Sequence, residues 1–121
     1  MAIKKIMVVD DSPTERFFLV GLLTKQGYQV VTAESGEESI VKAKEEKPDL
    51  IIMDVVMPGL NGFQATRAIS KDEVTKDIPV IMCTTKGQET DKVWGMRQGA
   101  KDYVVKPVNS DELLKKIAAL G

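Results

Sequence analysis

Five short apolar runs, separated by stretches of helix length, constrain the fold of this chain more than any other feature of its sequence. The runs are Ile6–Val9, Val30–Ala33, Leu50–Met53, Val80–Cys83 and Tyr103–Val105. Most of them are nearly continuous rather than alternating in polarity, which is typical of strands covered on both faces. The pattern therefore predicts an α/β fold, a doubly wound, five-stranded parallel sheet with helices on both faces.

Capping and breaker residues mark the helices between these strands. Ser12, Pro13 and Glu15 form the pattern of an N-cap, a first-turn proline and a capping-box glutamate, and Gly27 is placed to end that helix. Apolar residues spaced by three and four predict one buried stripe on this helix, formed by Phe18, Leu19, Leu22 and Leu23. Four more helices are expected from Ser35–Gly36 to Lys47, from Gly62 through Ile69, from Glu89 to Gln98, and from Asn109 or Ser110 to Leu120.

Length and composition indicate a single domain spanning residues 1–121. A chain of 121 residues with 43% hydrophobic residues can build a core without disulfide or metal staples. Its formal charge of -1 offers no basic stripe for nucleic acid. The single cysteine, Cys83, the absence of a signal peptide and the lack of any run of about 20 apolar residues predict a soluble cytoplasmic protein without membrane insertion.

Polar residues follow four of the five apolar runs, where each strand is expected to end. Asp10 and Asp11 follow the first run, Asp54 the third, Thr84 the fourth and Lys106 the fifth. Ligands bind beyond the carboxyl ends of strands in open parallel sheets, so these side chains are expected to share one site. Taken singly, each has a simpler interpretation: the acidic pair as a helix cap, the threonine as a turn residue and the lysine as a solvated cation.

Three clustered carboxylates repel one another, and a hard divalent cation such as Mg²⁺ relieves that repulsion. One carboxylate can then act as a nucleophile toward phosphorus. Lys106 could balance charge on the phosphoryl oxygens, and Thr84 could donate its hydroxyl to them. The strand-end residues therefore predict aspartyl phosphorylation, with Asp54 as the acceptor.

Together these residues resemble the CheY-like receiver domains of bacterial two-component signalling. The resemblance covers the whole chain and rests on Val8–Asp11, Ile52–Asp54, Met57–Gly59 with Asn61–Gly62, Val80–Thr84, Gly99–Ala100 and Tyr103–Pro107. It implies a flavodoxin-like sheet with the strand order 2-1-3-4-5. It also implies a signalling domain whose only chemistry is its own phosphotransfer and autodephosphorylation.

The resemblance assigns a role to each matching position. Asp54 resembles the phosphorylated aspartate, and Lys106 the lysine that pairs with the phosphoryl group, followed by a cis peptide bond to Pro107. The implied ligands of Mg²⁺ are Asp10, Asp11, Asp54 and the main-chain carbonyl of Val56. Thr84 and Tyr103 match the hydroxyl and the aromatic ring of the conformational switch, although an aromatic in a strand can equally be plain core packing.

Two longer runs, Met57–Arg67 and Thr84–Gly95, resemble the receivers of twitching-motility, chemotaxis-like pathways, which control type IV pili through a large histidine kinase. Within the second run, Trp94 is expected to be partly exposed and to form a partner face with Tyr103, the alternative being a helix edge packed on its neighbours. Val56 and Lys86 would flank the path of the hydrolytic water and tune the lifetime of the phosphoryl group.

The function predicted from the sequence is that of a stand-alone, monomeric response regulator. A sensor histidine kinase would phosphorylate it, and an effector protein would recognise the phosphorylated form. Two alternatives stay open: a phosphate sink that drains a shared kinase, and a receiver excised from a larger regulator, which the ending Ala118–Gly121 disfavours because it closes a helix without a linker. A haloacid-dehalogenase-type phosphatase would need an aspartate at position 56, where this chain has valine.

Overall fold

A computed structural model shows strands and helices alternating along the chain. It describes residues 2–85 and 89–121, with the main chain alone for Thr84 and residues 89–91. The strands are β1 (Lys5–Val9), β2 (Gln29–Ala33), β3 (Leu50–Asp54), β4 (Val80–Thr84) and β5 (Asp102–Val105). The helices are α1 (Pro13–Lys25), α2 (Gly36–Glu46), α3 (Gly62–Lys71), α4 (Glu89–Arg97) and α5 (Ser110–Leu120). Within the described residues, no helix is both long enough and apolar enough to cross a membrane.

The five strands form one parallel sheet in the order β2-β1-β3-β4-β5, which confirms the predicted fold and strand order. The register pairs Val9 with Met53, Asp54 with Cys83 and Thr84 with Val105. Because every strand runs in the same direction, the residues that follow β1, β3, β4 and β5 meet at a single edge of the sheet.

Both faces of the sheet are buried, which explains the continuous apolar runs. Alternate strand residues point to opposite faces. One face, with Met7, Ile51 and Met82, is covered by residues of α2 and α3, and the other, with Val8, Ile52 and Ile81, is covered by residues of α1 and α5. Each fully buried aliphatic side chain contributes about 1.5–3 kcal/mol, so this double layer provides most of the stabilisation.

The start of α1 agrees with the sequence prediction in part. Ser12 is the N-cap and accepts a hydrogen bond from the Glu15 N–H at 3.3 Å, with Pro13 in the first turn. The predicted reciprocal bond from Ser12 N–H to the Glu15 carboxylate is replaced, because that N–H donates to Asp10 Oδ1 at 2.9 Å. Glu15 instead lines the cleft at the carboxyl edge of the sheet.

The predicted buried stripe on α1 is wrong in one residue. Leu19 and Leu23 are fully buried and Leu22 is partly buried, but Phe18 is 44% exposed. The apolar residues of α1 cover more of the helix surface than the face that packs on the sheet. Their spacing alone therefore does not decide which of them are buried. Phe18 lies on the flank, where it lines a groove with Pro107 and Val108.

Candidate functional site

Three carboxylates converge at the carboxyl edge of the sheet. One oxygen from each of Asp10, Asp11 and Asp54 lies within 4.8 Å of the others. Asp10 is 2% exposed and Asp54 is 5% exposed, whereas Asp11 is exposed to solvent. The strand-end argument therefore located this cluster correctly, although Asp54 lies more than forty residues along the chain from the adjacent pair Asp10 and Asp11.

Asp10 is held at several atoms where β1 ends. Its N–H donates to Ala33 O at 3.1 Å, which continues the pairing of β1 with β2. Its Oδ1 accepts the Ser12 N–H at 2.9 Å, and its Oδ2 accepts from Lys106 Nζ at 3.1 Å. Both carboxylate oxygens thus have a fixed direction before any ligand arrives.

Lys106 joins the two buried carboxylates. Its Nζ lies 2.9 Å from Asp54 Oδ1 and 3.1 Å from Asp10 Oδ2, and its side chain is 12% exposed. The peptide bond between Lys106 and Pro107 is cis, as the family resemblance implied. The lysine predicted to act at this site therefore reaches it across 52 residues of sequence from Asp54.

Burial dominates the electrostatics of Asp54. Loss of solvent raises the pKa of this carboxyl from 3.8 to about 6, and the nearby charges of Asp10 and Asp11 add to the rise. The hydrogen bond and positive charge of Lys106 lower the pKa but do not cancel the effect of burial. At Lys106, burial lowers the pKa, but the hydrogen bonds to Asp54 and Asp10 and their charges outweigh it and raise the pKa overall. At neutral pH the site therefore contains an ionised but poorly solvated Asp54.

The segment after β3 folds back tightly beneath Asp54. Val55 N–H donates to Cys83 O at 3.2 Å, and Gly62 N–H donates to Val55 O at 2.9 Å. A Cβ atom at Gly62 would clash with the carbonyl oxygen of Asp54, so only glycine permits this close approach. Val56 is 69% exposed and lines the cleft beside the carboxylates, but the proposed role of its carbonyl stays a prediction.

An open cleft of about 570 Å³ surrounds the carboxylates. Its walls include Glu15 and Thr85, two residues that the sequence interpretation did not assign to the site. Glu15 was missed because its place in the first turn of α1 suggested a capping role. The side chain of Thr84 and the whole of Lys86 lie outside the described residues, so their predicted roles stay predictions.

A second groove, of about 430 Å³, lies beside Tyr103 and is lined by Lys92, Val93, Met96 and Arg97. The Tyr103 ring is partly buried, with Lys92 Nζ 4.6 Å and Lys116 Nζ 5.5 Å from its centroid. These distances are within the range of cation–π attraction. Val93 and Met96, both about half exposed, were not recognised from the sequence as neighbours of this ring.

Trp94 is 48% exposed, which matches the expectation of partial exposure. It lies on α4 with the groove residues, but it is not part of the groove lining. Between Trp94 and Met96, Gly95 faces inward, where a Cβ would lie 3.3 Å from Met82 Cγ. The two neighbouring side chains therefore leave the helix on different sides, and the assignment of Trp94 to a partner face stays a prediction.

The donor set of the cleft fits a hard divalent cation. The three clustered carboxylates and Lys106 together carry a formal charge of -2 within a small volume. All the candidate ligands are oxygens, which Mg²⁺ prefers over nitrogen and sulfur. The thiol of Cys83 is buried and does not line the cleft, so it is not placed to compete as a soft ligand.

These features define a class of doubly wound α/β proteins, in which an acidic cluster and a lysine lie together at the carboxyl edge of the sheet. A family model described as the response regulator receiver domain matches residues 6–118. The chain is 59% identical to Protein PilH of Pseudomonas aeruginosa over 116 residues, which cover 96% of each chain. It therefore belongs to the response regulator receiver family, as the sequence predicted, and is a signalling domain in kind rather than an enzyme.

Solved structures of other receivers have the same fold as this chain. The chemotaxis response regulator CheY4 of Vibrio cholerae superimposes with a TM-score of 0.92 and 36% identity, covering 99% of this chain and all of that one. The receiver domain of the Pseudomonas aeruginosa sensor kinase PA1611, solved with a magnesium ion in its active site cleft, gives 0.90 with 28% identity over 98% of both chains. The chain spans about half the length of the transcriptional regulators that it also matches.

Proposed function

We propose that this protein is a phosphorylation-dependent switch in which Asp54 accepts a phosphoryl group from a histidine kinase. One observation carries the proposal: a carboxylate that is 5% exposed lies 2.9 Å from a lysine and in the same cluster as two further carboxylates. A purely structural role would not require three acids where burial already disfavours charge on one of them.

Asp54 is suited to act as the nucleophile. Its pKa of about 6 leaves it ionised at neutral pH. In the transfer, a carboxylate oxygen of Asp54 would form a bond to phosphorus while the bond from phosphorus to the histidine nitrogen of the donor breaks, with the electron pair returning to that nitrogen. Lys106, already paired with Asp54, is placed to balance the charge on the phosphoryl oxygens.

The metal site is proposed to consist of Asp10, Asp11, Asp54 and the main-chain carbonyl of Val56. Bound Mg²⁺ would supply positive charge at the phosphoryl oxygens and offset the repulsion among the carboxylates. The chain itself contributes the arrangement: Ser12 N–H and Lys106 fix the two oxygens of Asp10. The magnesium ion in the cleft of the PA1611 receiver supports this proposal.

The output of the switch is proposed to be a change in protein binding. Thr84 would move toward the phosphoryl group, and the Tyr103 ring would follow, changing the surface formed by α4 and β5. The groove beside Tyr103, which carries Lys92, Val93 and Met96, supports this surface as the place where an effector binds. Trp94 would lie at its border.

The pathway is proposed to be a chemotaxis-like system that controls type IV pili and twitching motility, with the protein acting in the cytoplasm. The 59% identity to PilH, over 96% of the length of that protein, supports this subgroup. The sensor histidine kinase of that system would be the phosphodonor.

Labelling experiments test the phosphoacceptor. Purified protein incubated with acetyl phosphate and Mg²⁺ should gain one phosphoryl group, detected by intact mass or by phosphate-affinity electrophoresis. Asp54→Asn should abolish the labelling, whereas Asp111→Asn, an exposed aspartate on α5, should leave it unchanged. Full labelling of the Asp54→Asn variant would refute the assignment.

Partner binding is tested separately. Beryllofluoride-loaded and unloaded protein, immobilised in parallel, should retain different binding partners from an extract of the source cells. If both forms retain the same proteins and the phosphoryl group is lost rapidly, the protein is a phosphate sink. That outcome would refute the effector half of the proposal but not the phosphorylation of Asp54.

A further inference from the structure

A partly buried arginine, Arg16, connects the acidic cluster to the segment after β2. Arg16 Nη1 donates to the main-chain carbonyl of Asp10 at 2.7 Å, and Arg16 Nη2 lies 2.9 Å from Glu34 Oε1. The Arg16 side chain is 15% exposed, while that of Glu34 is 71% exposed. The guanidinium therefore bridges the segment after β1 and the segment after β2, both at the edge where the carboxylates lie.

The carbonyl that Arg16 holds belongs to the peptide group joining Asp10 to Asp11. Asp10 is restrained by three other contacts, through its N–H and both carboxylate oxygens. Asp11 is exposed, so the direction of its side chain depends mainly on the main chain that precedes it. An arginine that fixes the orientation of this peptide plane thereby restrains the main chain from which the Asp11 side chain extends.

We propose that Arg16 is a positioning residue for the metal site, because it orients the Asp10–Asp11 peptide so that both carboxylates face one cation. This inference rests on the Mg²⁺ site of the proposed function. Arg16 acts through the carbonyl and does not itself touch the metal. Its exposed partner Glu34 offsets its charge and limits its repulsion of a cation.

The direction in which Mg²⁺ affinity changes when Arg16 is removed distinguishes a positioning role from a purely electrostatic one. If Arg16 acted only through its charge, its removal would relieve repulsion and strengthen Mg²⁺ binding. If it acts by positioning, its removal should weaken Mg²⁺ binding about 10-fold, at the low end of the 10–100-fold seen for partners that orient metal ligands. The two interpretations therefore predict opposite changes in the dissociation constant.

Titration with Mg²⁺ monitored by ¹⁵N-NMR measures the dissociation constant and reports on folding in the same spectra. The variants are Arg16→Met, Arg16→Lys and Arg67→Met, the last being a control that removes an exposed arginine from α3. Arg16→Met should bind about 10-fold more weakly than the wild type. Arg16→Lys should lie between them, since one ammonium nitrogen replaces the two guanidinium nitrogens that reach the Asp10 carbonyl and Glu34 separately. Arg67→Met should bind like the wild type.

The outcomes distinguish this inference from the proposed function. Wild-type protein that binds no Mg²⁺ would refute both. If the wild type binds and Asp11→Asn weakens binding, the site is supported, and an unchanged or tighter dissociation constant for Arg16→Met then refutes the positioning role alone. If Arg16→Met fails to fold, Arg16→Lys decides: affinity equal to that of the wild type refutes the proposal, and a loss of about 3-fold supports it.

Discussion

Replacing Asp54 by asparagine should stabilise the metal-free protein, although it removes the residue on which the proposed chemistry depends. Burial raises the pKa of Asp54 from 3.8 to about 6, so ionisation of this group costs folding free energy above pH 6. A shift of about two pKa units corresponds to roughly 3 kcal/mol. Asparagine keeps the shape and a carbonyl acceptor for Lys106 but carries no charge. Because Lys106 loses one of its two anionic partners, we expect a net gain of about 1–3 kcal/mol.

The pH dependence follows from the direction of this shift. Between pH 4 and 6 the folded protein binds a proton at Asp54 that the unfolded chain does not bind, so the destabilisation caused by Asp54 decreases as the pH falls through 6. The asparagine variant lacks this group. The part of the stability difference that comes from ionisation of Asp54 should therefore be fully developed at pH 8 and should fall to about one third of that value at pH 4.5.

Urea denaturation in EDTA, at several pH values between 4.5 and 8, measures the stability difference between the two proteins and its dependence on pH. The Asp54→Asn variant should unfold at higher urea concentration than the wild type at pH 8. In a parallel thermal scan its melting temperature should be higher by about 4 °C for each kcal/mol of added stability. Addition of Mg²⁺ should reverse the order, because only the wild type retains all three carboxylate ligands. A variant less stable than the wild type at pH 8 in EDTA, or a difference independent of pH, would refute the electrostatic argument.

Three further predictions use the same stability assay or simple labelling. Lys106→Met should destabilise the metal-free protein by about 2–4 kcal/mol, because it leaves two buried carboxylates without a counter-charge, and Mg²⁺ should restore part of the loss. Gly62→Ala should cost more than 2 kcal/mol because its Cβ would meet Asp54 O, whereas Gly21→Ala, in an open stretch of helix, should stabilise by about 0.5–1 kcal/mol; equal effects would contradict the packing argument. Cys83 should resist iodoacetamide in the native state and react after unfolding, as mass spectrometry would show, because it is buried and its pKa is raised to about 12.

The strand ends could be predicted from the sequence because a parallel sheet leaves little freedom. Once five buried strands were recognised, Asp10, Asp54 and Lys106 had to meet at one edge, whatever the loop conformations. Side-chain pairing within α1 could not be predicted in the same way. Both Asp10 and Glu15 could accept from Ser12 N–H, and only the conformation of the β1–α1 turn selects Asp10 over Glu15.

Side chains that bind a main-chain carbonyl also could not be predicted from sequence patterns. The interaction of Arg16 with the Asp10 carbonyl leaves no signature of its own, since an arginine in the first turns of a helix is most often a solvated residue. Phe18 shows the opposite limitation. Its spacing fits the buried stripe, but a helix that rests on a sheet buries only a narrow face, and the orientation of α1 assigns that face to Leu19 and Leu23.

The charge of the acidic cluster and Lys106 explains why phosphorylation should affect the structure outside the cleft. The three carboxylates and Lys106 sum to -2, which one Mg²⁺ would neutralise. Phosphorylation would replace the single charge of Asp54 by about -1.5 to -2, leaving new negative charge at a site where solvent is already excluded. That charge would need a donor from β4, the strand next to β3, where Thr84 is proposed to respond. On its other side β4 is hydrogen-bonded to β5, where Tyr103 pairs with Met82. A displacement at the end of β4 would therefore act directly on the strand that carries the Tyr103 ring, which lies near Lys92 and Lys116.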